Sequence, residues 1–490
     1  MVTPEARQEG ITSDAARSGF GNRYTTSLLL LLGAIGVMVM YVEAMAIPSL
    51  PWVMADFGLG QEDYALGSWI VTIYLVVAAV AIAIFGKLGD IYGRKKMLLV
   101  AMSIYTVAVT LTGFSRELSD SIYLMIFFRA IQGLGMSAFP LAFAIIRDEF
   151  PNEKMAVAQG VISAMFGVGN AFGLVVGGFV TEEWGWQWTY HTVVPFAAIA
   201  TVIVALKVHP SSSRAKAKVD IPGGVLLAFT LVTFLVGATE ARNRGWTDPL
   251  ILSLFAISAA AFITFAYWQG RAREPLIRPS LMKVRDIALS NTLGFMVGFA
   301  MLLSSLTITA IASYGFGLGP LKIGMLNLPM SVMMFVLGPV AGVAVSKFGP
   351  KWPMTLGMLV AIVGFVYLDL YHGSEMELIT GIVLMGSGIV CAMVGMINMI
   401  IISTPREETG IATGVNIIVR TCGAVVGPAL ATVLISDETN PDAYGTVFRL
   451  GAVFLAVGAV LTLFMSNRKV SEMEPSGREQ PATVEDEAPA

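Results

Sequence analysis

Gly86-Lys87-Leu88-Gly89-Asp90-Ile91-Tyr92-Gly93-Arg94-Lys95-Lys96 is a short charged link between two long apolar runs, Ala65–Phe85 and Met97–Phe114. A second link, Gly342-Val343-Ala344-Val345-Ser346-Lys347-Phe348-Gly349-Pro350-Lys351, repeats its outline, with glycines seven apart and a basic residue two beyond. The likeness extends to a pair of apolar runs further along. Gly160, Gly169 and Gly173 match Gly414, Gly423 and Gly427 at identical spacings.

Working outward from these links, runs long enough to cross a bilayer as helices are Leu28–Leu50, Ala65–Phe85, Met97–Phe114, Ile122–Ile146, Met155–Val180 and Trp188–Leu206. A pair follows, Ile221–Thr239 and Pro249–Trp268. The remainder are Ile287–Phe316, Ile323–Val345, Trp352–Tyr371, Leu378–Ser403, Gly410–Ser436 and Val447–Met465. The count is about fourteen, and the repeat makes spans nine to fourteen a copy of spans one to six. Two six-helix halves with an inserted pair are therefore expected: 25–208, 209–270 and 271–467, between tails at 1–24 and 468–490. The tails are rich in Pro, Glu, Ser and Ala, which cannot bury a core, and are read as disordered.

Composition agrees: of 490 residues, 56% are apolar and 13% charged, and the mean hydropathy is +0.74. So little charge excludes most soluble enzymes. The net charge of −3, with no continuous basic arm, excludes a nucleic-acid partner. An even span number puts both termini on one side, where Lys87, Arg94–Lys96, Arg147, Lys154, Lys207, Arg214, Arg271, Arg273, Lys347, Lys351 and Arg406 accumulate. The opposite loops hold only Arg116, Arg242, Arg244 and Lys322, with Arg449 near an outer end. Positive charge stays in the cytoplasm, so both termini are expected there, in a multi-pass protein of the plasma (inner) membrane.

Parallel six-helix repeats build alternating-access transporters with the substrate site between the halves. No Gly-x-x-x-x-Gly-Lys-Ser/Thr phosphate loop is present, so the energy source is a gradient, and no cofactor is expected. Cys391 and Cys422 lie in apolar runs as small packing residues. His191, His209 and His372 lack metal-ligand spacing. Neither a metal site nor a catalytic residue is expected; the chain is not read as an enzyme.

These links and runs resemble the major facilitator superfamily, and within it the drug:proton antiporters of fourteen spans, over Leu28–Met465. Gly86–Lys96 matches the loop signature of that superfamily. Arg129-Ala130-Ile131-Gln132-Gly133 is similar to its fourth-span pattern, Trp186-Gln187-Trp188-Thr189-Tyr190 with Pro195 to the entrance of the sixth, and Arg420-Thr421-Cys422-Gly423 to the thirteenth-span arginine. In the fifth span Gly173-Leu174-Val175-Val176-Gly177-Gly178 carries leucine where the antiporter signature has proline. In the first, Glu43 and Pro48 keep the acid and proline of the usual pattern with altered spacing. The implied fold is all-α, the major-facilitator fold. The implied function is proton-coupled export of lipophilic, cationic compounds, with protons, a small lipophilic substrate and the bilayer as partners and the monomer as working unit. A transporter of one metabolite or amphiphile, or a sensor or scaffold without transport, would share the same pattern.

Glu43 is the carboxylate well inside an apolar span. Such acids mark ion pathways, and since burial penalises the charged form it is suited to load and release a proton near neutral pH. Arg129 joins it by resemblance, in proton transfer or in holding the first and fourth spans together. Gly86, Asp90, Gly93 and Arg94, with Asp148 at the end of the fourth span, form by resemblance a latch for the outward-facing state, Asp90 being placed to meet a helix N-terminus of the other half. Gly169, Gly173, Gly177 and Gly178 are spaced for close helix packing or gating. Gln132, Asn416 and Arg420 are further polar candidates for cavity wall or buried bonding, and Arg420 is read first as structural. Tyr41, Trp69, Tyr74, Met136, Phe139, Met165 and Tyr314 are candidates for an apolar cavity lining.

Overall fold

The computed structural model describes residues 23–60, 63–149, 152–210, 219–276, 279–404, 409–434 and 441–467. The expected tails, apart from Arg23 and Tyr24, fall outside the described residues. Thirteen helices are long and apolar enough to cross a membrane by length and composition. A further helix, Asn152–Trp184, stands between the fourth and fifth of these, and fourteen long helices result. They are α1 (Arg23–Asp56), α2 (Trp69–Tyr92), α3 (Arg94–Gly113), α4 (Ile122–Ile146), α5 (Asn152–Trp184), α6 (Trp186–Lys207), α7 (Ile221–Arg244), α8 (Pro249–Gln269), α9 (Arg285–Ala310), α10 (Pro320–Phe348), α11 (Lys351–Leu370), α12 (Glu375–Ser403), α13 (Thr409–Leu434) and α14 (Pro441–Leu463). Regular structure among the described residues is helical throughout.

The repeated link has a local cause. Gly93 ends α2 at φ 99° and Gly349 ends α10 at φ 80°, a left-handed backbone that costs a residue with a Cβ. Each amide bonds back over 2.9 Å, Gly93 to the Gly89 carbonyl and Gly349 to that of Val345. The last glycine of each link is thus a helix stop that turns the chain into the next span.

The repeated glycines have a packing cause. α1 lies along α5 as α9 lies along α13. A Cβ on Gly169 or Gly173 would strike the carbonyls of Val37 and Tyr41, and one on Gly423 or Gly427 those of Phe295 and Phe299. Backbones this close gain dispersion contacts that lipid cannot replace, so Gly169/Gly423 and Gly173/Gly427 are matched in contact as well as in sequence.

The first six helices meet the last six along two seams, α5 against α10 and α2 against α13. α7 packs on both α2 and α13, through Leu235, Ala238 and Ala429. Trp69 Nε1 donates to Thr239 Oγ1 over 2.7 Å to fix its far end. α8 packs on α7 and leaves Phe262, Ile263 and Tyr267 exposed, as a lipid-facing helix should. The inserted pair therefore covers a seam between the halves.

Along the α5–α10 seam, the face opposite the chain ends is closed. Cβ atoms on Gly178 and Gly324 would strike the Pro320 and Leu174 carbonyls, the Leu321 amide donates to Glu182 Oε2 over 3.2 Å, and Ser331 Oγ donates to Asn170 Oδ1 over 2.9 Å. Beyond Ser331, Gly338 and Gly342 have open space beside them, while Phe335 and Val340 are exposed. At the same closed face Tyr64 donates its hydroxyl to the Leu306 carbonyl over 2.9 Å, with Tyr314 edge-on to its ring.

Candidate transport site

Glu43 is held in place by the glycines of α5. Its neighbours in α1, Tyr41, Ala44 and Met45, fit against Gly173 and Gly177, and the helical screw turns residue 43 to a different side. The side chain is half-buried, yet Oε2 is sealed from solvent without a hydrogen-bond partner. Two guanidiniums act on its charge, Arg129 from the first six helices and Arg420 from the last six.

Arg129 is fully buried. Its Nε donates to the Ile70 carbonyl over 2.8 Å and its Nη1 to Gln132 Oε1 over 3.0 Å. The Tyr74 ring lies 4.6 Å from the guanidinium carbon, and the Tyr190 ring 6.0 Å. The Ile70 bond and the Tyr74 ring tie α4 to α2, while the bond to Gln132 stays within α4; the expectation for Arg129 was proton transfer or a hold between α1 and α4. Gly133 of the same motif meets the Tyr74 backbone of α2, and Gly135 just beyond it meets the Tyr105 ring of α3. Arg129 Nη2, Gln132 Nε2 and the Tyr74 hydroxyl are buried without partners. Three donors and one carboxylate oxygen are thus left open in the interior, and such groups are costly unless water or ligand meets them.

Of the latch residues, Asp90 pairs with Arg94 at 3.1 Å. Arg94 is buried and donates to the Ala144 carbonyl over 2.7 Å, which fastens the link to α4. Asp90 therefore has a contact in its own half here. Lys87 makes the longer reach, pairing with Glu274 Oε2 at 2.8 Å in the segment after the inserted pair. A Cβ on Gly86 would meet open space, and the Asp148 side chain lies outside the described residues.

Asn416 is buried and donates to the Ser290 carbonyl and Asn291 Oδ1 at 3.3 and 3.2 Å, so it fastens α13 to α9. Among the cavity-lining candidates, Trp69 is spent on Thr239, Tyr74 on Arg129, Tyr314 on Tyr64, and Met165 packs at Gly33. Tyr41 and Met136 are half-buried, and the Phe139 side chain lies outside the described residues. Among the described residues no group of three or more His, Cys, Asp or Glu is arranged to hold a metal.

Residues that the sequence did not single out also contribute. Asp56 accepts from Trp186 Nε1 and Gln187 Nε2 at 2.9 and 3.0 Å, which explains the aromatic entrance to α6. Asp220 collects four donors, Gly223 N, Trp268 Nε1, Gln269 Nε2 and Leu276 N. Glu182 crosses from α5 to the start of α10. All three are polar side chains next to a span end, the one signal by which they could be found.

Residues 32–274 and 289–487 match the Major Facilitator Superfamily. The chain belongs to the major facilitator superfamily. Its relatives include the tetracenomycin C resistance and export protein of Streptomyces glaucescens, 29% identical over 84% of this chain and 76% of that protein. Another is the multidrug transporter protein MdtP of Bacillus subtilis, 24% identical over 88% of this chain and 91% of that one. Solved transporters share the fold. The nucleoside transporter NupG superposes with a TM-score of 0.63 at 12% identity, covering 89% of this chain and 99% of its own, and an auto-inhibited peptide transporter of the POT family gives 0.63 at 14%, covering 89% and 96%. This major facilitator protein is accordingly a multi-pass membrane transporter of a small molecule and not an enzyme.

Proposed function

We propose that this protein is a proton-coupled exporter of lipophilic compounds in the plasma membrane, working by alternating access with both termini in the cytoplasm. The observation that carries the reading is Glu43, a mid-span carboxylate with an unpartnered oxygen in the field of guanidiniums from both halves. Ionised Glu43 attracts Arg420 across the interface; a proton on it removes that attraction, so protonation and the approach of the halves are linked. The relatives named for tetracenomycin C export and multidrug transport support outward movement of apolar cargo. The accumulation of Lys and Arg on the chain-end side supports its cytoplasmic placement, and the closed opposite face then corresponds to an inward-open carrier. A membrane potential contributes about 2.3 kcal/mol per 100 mV for each charge moved inward, enough to sustain an outward gradient. Cargo charge is a separate matter, because the same centre holds two guanidiniums for one carboxylate.

The test is movement of a lipophilic dye in proteoliposomes under an imposed pH gradient, comparing the native chain with Glu43→Gln at equal folded protein. Gradient-driven movement that disappears in the variant is expected. Equal movement by both would remove Glu43 as the coupling residue.

A further inference from the structure

Resting on that export reading, the geometry points to Arg420 as a cargo-binding residue that takes an oxyanion or carbonyl oxygen on an otherwise apolar compound. Arg420 sits about three to four turns from either end of α13, too deep for its head to reach an interface by snorkelling. Its backbone is pinned, because Gly298 of α9 packs against the Arg420 carbonyl and Gly423 against Phe295. The side chain is half-buried. The hydrogen-bond partner recorded for its guanidinium is the Met393 sulfur, 3.9 Å from Nη1, and a thioether is a weak acceptor.

The other deep cation is provided for differently. Arg129 has a carbonyl and an amide oxygen within 3.0 Å and an aromatic face. Arg449, near an outer helix end, has both oxygens of Asp369 at 2.9 and 3.0 Å. Arg420 has no carboxylate at ion-pair distance among the described residues, although Glu43 acts on it electrostatically. A guanidinium stays charged at any physiological pH and presents a fork of donors, so one left without oxygen partners inside a span is costly and favours whatever brings an acceptor. Arg129 and Arg420 both act electrostatically on Glu43, two guanidiniums for one carboxylate, so the centre carries excess positive charge, which attracts an oxyanion and repels a permanent cation. Met393, which that contact places beside the guanidinium, supplies a polarisable apolar surface for the rest of the ligand. This departs from the cationic cargo that the resemblance to drug:proton antiporters implies.

The experiment uses the full chain in lipid nanodiscs, with empty nanodiscs subtracted, and three probes: anilinonaphthalene sulfonate, its unsulfonated parent phenylnaphthylamine, and the tetraphenylphosphonium cation. A charge-assisted hydrogen bond in this setting corresponds to about tenfold or more in affinity, so the sulfonate should bind about tenfold tighter than its parent and the cation weakest. Arg420→Gln should bring sulfonate and parent to within about twofold, and Arg420→Lys, retaining the charge without the fork, should keep part of the difference. Gel filtration and melting curves show which variants are folded; if Arg420→Gln is not, the Lys variant must still reduce the ratio. An unchanged ratio in the folded variant, or the cation as the tightest ligand, would overturn the assignment. Movement of the parent probe under a pH gradient is scored separately. Transport without a sulfonate preference defeats only the role of Arg420, whereas no probe bound or moved defeats the export reading with it.

Discussion

The Leu321 amide donates to the Glu182 carboxylate over 3.2 Å, so a side chain at the end of α5 caps the first turn of α10 in the other half. An acid at a helix N-terminus is stabilising by about 0.3–1 kcal/mol when exposed, as Glu182 is. The bond exists only while this face is closed. Glu182→Ala should therefore shift the open-to-closed ratio at this mouth about two- to fivefold toward open, measured by spin-label distances between α5 and α10. An unchanged distance distribution would show that the cap adds nothing to closure.

Glycine positions separate into those that carry contact and those that do not. Gly173→Leu and Gly427→Leu place a side chain where a neighbouring helix carbonyl already sits, and both should lower the yield of folded protein sharply. Gly86→Ala and Gly342→Ala enter open space and should leave the melting temperature within about a degree or two, a shift of the size ordinary surface changes cause. Gly93→Ala meets no atom but must hold φ 99°, at a cost of about 1–2 kcal/mol. A melting series over these five variants checks the order.

Removing Arg129 and removing the Tyr74 hydroxyl should differ widely, although they adjoin. Arg129→Gln loses the bond to Ile70 and strips Gln132 Oε1 of its donor, which in a buried site costs about 3 kcal/mol. The Tyr74 hydroxyl has no partner to lose, so Tyr74→Phe should leave stability within about 1 kcal/mol. If transport nevertheless slows in Tyr74→Phe, the hydroxyl belongs to the proton path; if stability falls as far as in Arg129→Gln, the hub is misassigned.

Helix number, the repeat and its glycines were legible because each leaves a periodic trace: a run of apolar residues, a spacing of four or seven, a helix stop. Side-chain destinations were not. Trp69 reads as cavity wall, but an indole N–H inside a bilayer needs an acceptor, and Thr239, 170 residues away, provides it. Lys87 reads as ordinary cytoplasmic charge until Glu274 is brought beside it. Arg129 and Arg420 look alike in sequence, two arginines inside spans. What separates them is the set of oxygens each finds, and that depends on which helices the fold makes neighbours.

Asp220, just outside the α7 span, gives a pH dependence whose sign is fixed. Burial pushes its carboxyl upward, but donors from Trp268, Gly223, Gln269 and Leu276 outweigh it and hold the group below the usual carboxylate range. A group whose folded value lies below its unfolded one, near 4, stabilises fully above that pH, and the contribution is lost as pH falls through the lower, folded value. The four donors come from α7, the end of α8 and the segment beyond it, so the stabilisation belongs to the seating of the inserted pair. Asp220→Asn should thus melt earlier than the native chain at pH 7, by the equivalent of about 1–3 kcal/mol. The gap should narrow steadily below pH 4, with amide exchange at the start of α7 faster in the variant only at the higher pH. A gap that stays constant from pH 7 to pH 3 would mean that the carboxylate charge is not what the four donors recognise.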